Sequence, residues 1–270
     1  MSTTVRQPAV AGHFYSRDPL ALSRDLRSFF SLSEQKISAL GCVVPHAGYI
    51  YSGHVAGSVY AAMELPQRFI VLGPNHTGHG SPLAIMRSGA WQTPLGCAPI
   101  DSRLAEQLCD ACPYLKEDAI AHRGEHAIEV QLPFLQLATP EFSFVPISVG
   151  TSQYEILHAL GEGLAGVLSE EKEKVLLISS SDMNHYEDDS TTREKDRKAI
   201  EKVLALDPQG LYDVVFREAI TMCGSCPTVA MLVASKRLAA ASAKLVKYAT
   251  SGDISGDRSS VVGYAGIVIQ

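Results

Sequence analysis

Three short apolar runs, each followed by a histidine, constrain this chain more than any other feature. Gly41-Cys42-Val43-Val44 leads into Pro45-His46, and Arg68-Phe69-Ile70-Val71-Leu72-Gly73 leads into Pro74-Asn75-His76. Val175-Leu176-Leu177-Ile178-Ser179 leads into Ser180-Ser181-Asp182-Met183-Asn184-His185. Runs of this length and composition read as strands buried on both faces. Each delivers its histidine to the loop at the strand's carboxyl end. That edge of an α/β sheet is where ligands bind, because strand ends and helix starts form a crevice there. One such histidine carries little information, whereas three at equivalent positions point to a site.

The remaining pattern alternates in the same way. Strands are expected near 41–45, 68–73, 82–87, 142–149, 174–180, 243–249 and 261–269. Helices are expected near 18–30, 53–64, 101–111, 126–138, 152–169, 190–205, 207–218 and 226–240. Apolar strands separated by helical stretches predict an α/β fold with helices on both faces of the sheet. Residues 243–249 and 261–269 are joined by a Gly/Asp/Ser-rich turn, so they are expected to pair antiparallel in a mixed sheet. No repeat, low-complexity tract or linker interrupts the 270 residues, and a single domain over 1–270 is expected.

The net charge is −6 and the basic residues are scattered, which argues against nucleic acid and anionic membranes as partners. The longest apolar stretches are strand-length, well short of the ~20 residues a spanning helix needs. No apolar leader follows Met1, so a cytoplasmic location with six reduced thiols is expected.

Neutral imidazole is a common ligand for iron, copper and zinc. His46 and His76 each follow a proline-bearing turn and precede a glycine, Gly48 and Gly78, that permits close backbone approach. They are candidate ligands, the alternative being histidines hydrogen-bonded in loops. Cys223, in Thr221-Met222-Cys223-Gly224-Ser225-Cys226-Pro227, precedes the expected helix at 226–240, and a helix N-terminus lowers a thiol pKa. It reads as a third ligand, as half of a Cys-x-x-Cys redox pair with Cys226, or as an inert core thiol. Cys109 and Cys112 form a second Cys-x-x-Cys in a helical, surface-looking stretch, and the two pairs together are a weaker zinc candidate.

Asp182 and His185 share one strand-end loop, where a carboxylate beside an imidazole suits proton transfer; the alternative is that Asp182 or Asn184 caps a helix. His122 and His126 resemble half of a zinc-protease motif without its His-Glu-x-x-His core. Glu125 and Glu129 suit the first turn of a helix through its dipole alone.

Several runs together resemble the Memo family: Arg6-Gln7-Pro8-Ala9-Val10-Ala11-Gly12-His13-Phe14-Tyr15, Pro45-His46-Ala47-Gly48-Tyr49-Ile50-Tyr51-Ser52-Gly53 and Leu72-Gly73-Pro74-Asn75-His76. So do Thr93-Pro94-Leu95-Gly96, Glu125-His126-Ala127-Ile128-Glu129-Val130-Gln131-Leu132-Pro133, Ser180-Ser181-Asp182-Met183-Asn184-His185-Tyr186 and Cys223-Gly224. In prokaryotes the family is known as component B of the AmmeMemoRadiSam system, and it is similar to class III extradiol dioxygenases. The resemblance implies a single three-layer α/β/α sandwich with a mixed central sheet and a non-haem ferrous site at the strand ends. It implies His46, His76 and Cys223 as metal ligands, with His185 and Asp182 as catalytic groups beside them. His126, Glu125 and Tyr51 are expected to contact a small-molecule substrate. Extradiol dioxygenases of this class use glutamate as the third ligand. The thiolate here brings copper and zinc into consideration beside iron, and ring cleavage does not carry over. Cys226 beside the site could pair with Cys223 in a disulfide. The function so implied is a metal-dependent, iron-preferring oxidoreductase. The alternatives are a scaffold working with radical-SAM and AMMECR-like partners, or a metal buffer.

Overall fold

The computed structural model describes residues 4–30 and 36–270. The strands are β1 Val5–Arg6, β2 Gly41–Val44, β3 Arg68–Pro74, β4 Leu83–Ile85, β5 Ala90–Thr93, β6 Gly96–Pro99, β7 Lys116–Glu117, β8 Ser143–Val149, β9 Val175–Ser180, β10 His185–Glu187, β11 Ala243–Thr250 and β12 Val261–Ile269. The helices are α1 Pro19–Phe29, α2 Tyr49–Ala62, α3 Ser102–Ala111, α4 Ile120–Arg123, α5 Leu132–Ala138, α6 Tyr154–Glu170, α7 Asp189–Leu204, α8 Pro208–Arg217, α9 Ser225–Arg237 and α10 Gly252–Ser255.

The large sheet runs β10-β12-β2-β9-β3-β8-β4-β7, with β11 on the other flank of β12. β2, β9, β3 and β8 are mutually parallel, whereas β12 is antiparallel to β2, β10 and β11, and β4 is antiparallel to β8. The expected mixed sheet is therefore observed, including the C-terminal antiparallel pair. Alternate residues of the central strands enter opposite apolar layers, as the two-residue period of a strand requires. Val43, Ile70, Leu72 and Leu177 face one layer with residues of α3, α6, α7, α8 and α9. Cys42, Val44, Phe69, Val71, Leu176 and Ile178 face the other, with α1, α2 and α5 and with Trp91 and Ala98 of a small β1-β5-β6 sheet. The result is a three-layer α/β/α sandwich.

Helix starts follow local chemistry. Asp18, Asp101, Asp188 and Asp207 each accept a hydrogen bond from a first-turn amide, and proline occupies the first turn of α1 and α8. Two expectations shift. α2 begins at Tyr49, not near 53, with Gly48 as its cap, and Gly53 and Gly57 lie inside it where α1 crosses. The helix expected at 126–138 begins only with a 3₁₀ turn at Glu129–Gln131. The Glu125 carboxylate takes the amides of His126 and Ala127 and holds them in a turn ahead of it. The β5–β6 hairpin closes at Gly96, whose φ of 125° suits only glycine.

Two expected outcomes test this packing. A Cβ at Gly57 would lie 2.4 Å from the Phe29 carbonyl oxygen, whereas Gly166 of α6 faces open space. Gly57→Ala should destabilise the chain by about 1–3 kcal/mol and Gly166→Ala should stabilise it by about 0.5–1 kcal/mol, read from denaturant midpoints at constant slope. Asp196 is buried against Gly263, and burial pushes its carboxyl up to about 7 despite hydrogen bonds from Tyr248 and the Asn184 amide. A raised carboxyl pKa means the folded chain keeps a proton that the unfolded chain has released. Its stabilisation is full below the unfolded value and is lost as pH rises through the folded one. Asp196→Asn should flatten the fall in stability between about pH 4 and 7; an unchanged slope would show that Asp196 titrates normally.

Candidate metal centre

The parallel register of β2, β9 and β3 sets three strand ends side by side. Val44 is opposite Ser180, and Leu72 is opposite Ser179. The loops that follow carry His46, Asp182 and His76 over the same edge. Cys223 arrives from the connection between α8 and α9, immediately before the Gly224 cap of α9.

His46 is 2% exposed. Its amide and that of Ala47 donate to Asp182 Oδ1 at 2.7 and 3.2 Å, so Asp182 ties two adjacent strand ends together. Asp182 caps no helix. Burial raises its pKa, and the amides of His46 and Ala47 oppose that shift.

A directed chain of hydrogen bonds sets the His46 tautomer. The Ser180 hydroxyl has one proton, and it goes to the Ala127 carbonyl at 2.6 Å. Gln131 Nε2 donates to Ser180 Oγ at 2.8 Å and to the Pro45 carbonyl, while Tyr60 donates to Gln131 Oε1. Ser180 Oγ can therefore only accept from His46 Nδ1, 3.0 Å away. His46 Nε2 is left as the unprotonated acceptor, 3.2 Å from the Cys223 thiol, which can donate to it until an ion takes its place. Burial, together with the neighbouring His126 and His76, drives the His46 pKa well below its ordinary value, which keeps the ring in its ligating form.

His76 is held by one carboxylate at two points. Its amide donates to Glu125 Oε2 at 2.6 Å and its Nδ1 lies 3.0 Å from Glu125 Oε1. Burial alone would raise the Glu125 pKa, but bonds from His76 and the Ala127 amide outweigh it and hold the carboxyl at about 2. His76 Nε2 is thus its free nitrogen. The free donor atoms of His46, His76 and Cys223 lie within 4.8 Å of one another. Three donors bound to one ion at about 2.0–2.3 Å sit roughly 3.3–3.8 Å apart, so small side-chain rotations complete the set. Two imidazoles and a thiol fit a late first-row ion. Burial pushes the Cys223 thiol up, so binding must displace its proton.

His76, Glu125 and His126 are also close enough to form a group. Both Glu125 oxygens are already engaged by His76 and by backbone amides, so this carboxylate supports His76 from behind. The His126 ring stacks on His76 at 4.7 Å and lies 4.7 Å from Phe14. A cavity of about 560 Å³ opens in front, lined by His46, His76, His126, Asp182, His185 and Cys223, with Phe14, Tyr186 and Val262 as apolar walls.

Two expected substrate contacts change place. Glu125 is fully buried behind His76 and does not line the cavity. Tyr51 sits in the first turn of α2, 38% exposed, while Gly48 takes its place in the wall. His122 is not brought to His126's side of the loop: it is buried against Trp91. Cys112 is buried in the apolar core and Cys109 and Cys226 pack against it. Among the described residues, neither Cys-x-x-Cys pair enters a metal-competent group beyond Cys223 itself.

Sequence reasoning missed Ser180 and Gln131, which orient His46, and also the role of Glu129. Glu129 is buried and accepts from Arg6, Tyr15 and the amides of Ala9 and Val10. It thereby holds the N-terminal segment that brings Phe14 to the cavity. An apolar helix with an internal Gln and Glu was the available signal, since buried polar groups must be paired.

The family model for Memo-like proteins matches residues 6–268. The chain belongs to the Memo-like family. A MEMO1 family protein of Methanosarcina barkeri is 43% identical over 98% of this chain and 100% of its own length. One from Aquifex aeolicus is 43% identical over 98% of each. Among solved structures, an uncharacterized protein from Escherichia coli K12 aligns with TM-score 0.53 over 84% of this chain and 98% of its own, at 14% identity. That likeness is one of fold. The Memo-like match spans all the strand ends that build the centre.

Removing the groups behind a metal-bound histidine typically costs 10–100-fold in affinity. Ser180→Ala or Gln131→Leu should weaken metal binding by about that factor with His46, His76 and Cys223 intact, read by competition with a chromophoric chelator. Unchanged affinity in both would remove the hydrogen-bond chain from the account of this site.

Proposed function

We propose that this Memo-like chain is a metal-dependent oxidoreductase acting on a small molecule, with its metal held by His46, His76 and Cys223. The observation that carries this reading is the convergence of two bare imidazole nitrogens and one thiol, each histidine held by a dedicated partner behind it, at the floor of one cavity. Ferrous iron is the proposed cofactor, with copper and zinc as alternatives because of the thiolate. Bound there, such an ion would supply redox or Lewis-acid chemistry with positions left open toward the cavity.

The chain's own residues do the rest. Phe14 and Val262 give the cavity an apolar wall, with the exposed Tyr186 at its rim. His126 stacks face to face on His76 and lines the same cavity. His185 donates its Nδ1–H to the Thr221 carbonyl at 2.9 Å, which leaves Nε2 to take up or return a proton at a reacting atom. Asp182 holds the His46 loop in place while its carboxylate borders the same space. Among the described residues no helix is long and apolar enough to cross a membrane, and we propose a cytoplasmic location. A scaffold role beside radical-SAM and AMMECR-like partners, or metal buffering, is the competing proposal.

The test begins with anaerobic purification and metal analysis. His46→Ala, His76→Ala and Cys223→Ala should each weaken one-to-one metal binding by more than about 100-fold, beyond the effect of the residues behind them. Substrate-dependent O₂ consumption by iron-loaded protein then separates an enzyme from a scaffold. His185→Ala should keep the metal and lose turnover by about 10²–10⁴-fold. Ligand variants that bind metal like the wild type would end the metal reading.

A further inference from the structure

His185 stands on a strained piece of backbone. Its strand, β10, pairs with β12 through an irregular register between His185 and Glu187. The residue between them, Tyr186, has φ of 63° and is 78% exposed. A left-handed tyrosine is costly and little of its side chain is buried, so neighbouring contacts must impose the conformation. Bulges of this kind turn a side chain toward a site.

The contacts come from one fully buried amide and one hydroxyl. Asn184, on the N-terminal side of the bulge, accepts at Oδ1 from the Thr221 amide (3.0 Å) and the Thr221 hydroxyl (3.1 Å). Its Nδ2 donates to Glu187 Oε2 at 2.6 Å, on the C-terminal side, where Lys195 also binds. Its own amide donates to Asp196 at 2.8 Å. These partners fix which end of the Asn184 side chain is oxygen, because two donors meet one end and a carboxylate meets the other. Thr221 then completes the circuit. Its hydroxyl spends its proton on Asn184 and accepts from the His185 amide at 2.7 Å, while its carbonyl accepts from His185 Nδ1 at 2.9 Å.

We propose that Asn184 and Thr221 are positioning residues, a clamp that imposes the bulge at Tyr186 and keeps His185 in its Nδ1–H tautomer with Nε2 bare toward the cavity. The assignment deepens the proposed function by naming what readies its proton-transfer group. Thr221 lies two residues before Cys223, so the clamp also joins the His185 loop to the segment bearing the thiol. Without it, His185 would be free to rotate and to adopt its other tautomer, which presents a donor where an acceptor is needed.

The test does not require a metal or a substrate. Heteronuclear NMR of the metal-free, full-length chain at alkaline pH, with labelled histidine, distinguishes Nδ1–H from Nε2–H for the neutral His185 ring. In the wild type Nδ1–H should dominate. Thr221→Val and Asn184→Leu keep the Thr221 carbonyl but release the segment that aims it at His185 Nδ1, and should each lower the Nδ1–H to Nε2–H ratio by roughly five- to tenfold, the scale of one hydrogen bond weakened by misalignment. Thr221→Ser, which keeps the hydroxyl, should restore the wild-type ratio. Thr221 is exposed, so its variants decide the matter if the buried Asn184 change prevents folding. A wild-type ratio in folded Thr221→Val, or an Nε2–H wild type, would overturn the clamp. Failure of the wild type to bind cobalt(II), measured separately, would overturn the metal reading and leave the clamp standing.

Discussion

The parallel register of β2, β9 and β3 is the constraint on which everything else in this molecule depends. Parallel neighbours end at the same edge, so the residues after Val44, Pro74 and Ser180 are delivered within a few ångströms of one another. No antiparallel arrangement of these strands would do this, since alternate ends would point away. The register is itself held by burial on both faces: slipping one strand by one residue would exchange its contributions to the two apolar layers. Asp182 adds a local tie, bonding the His46 and Ala47 amides across the β2–β9 boundary.

A second constraint follows from putting polar groups in that edge. Ser180, Gln131, Glu125, Glu129 and Asn184 are all fully buried. Each would be costly unpaired, and each is paired by groups whose hydrogen-bond direction is determined. The hydroxyl of Ser180 has one proton and the carboxylate of Glu125 has none, so their histidine partners have no choice of tautomer. Burial therefore does more than stabilise: it orders the protons, and ordered protons decide which ring nitrogens face the cavity.

Much of this was legible in the sequence, and the boundary is physical. His46, His76 and Cys223 stood out because strand ends and helix starts leave period and composition signals. The mixed sheet and the antiparallel C-terminal pair followed from the same signals. What could not be read were contacts between residues far apart in the chain. Ser180 reaches Ala127 and Gln131, and Glu129 reaches Ala9 and Tyr15, across separations that no local pattern encodes. Tyr51, expected from the resemblance to contact substrate, sits in the first turn of α2 outside the cavity lining. Gly53 and Gly57 are the places where α1 can approach α2, a close contact between distant segments that no local pattern announces. Glu125 read as a helix-dipole carboxylate or a substrate contact, whereas burial made it the partner of His76.

The donor set places the burden of specificity on the surroundings. Two imidazoles and a thiolate accept iron, copper and zinc, and the order of intrinsic affinities favours copper. Nothing in three donors alone selects a metal or a reaction. Selection must come from geometry and from access. The rings of His46 and His76 are fixed by Ser180 and Glu125, so an ion held there would have to accept the directions those rings offer. Cys223 rides on a peptide that is bonded through Thr221 to the loop of His185. The thiol and the imidazole that would move protons beside it therefore share one support. A displacement of the Cys223 segment would therefore be carried to the His185 loop through Thr221.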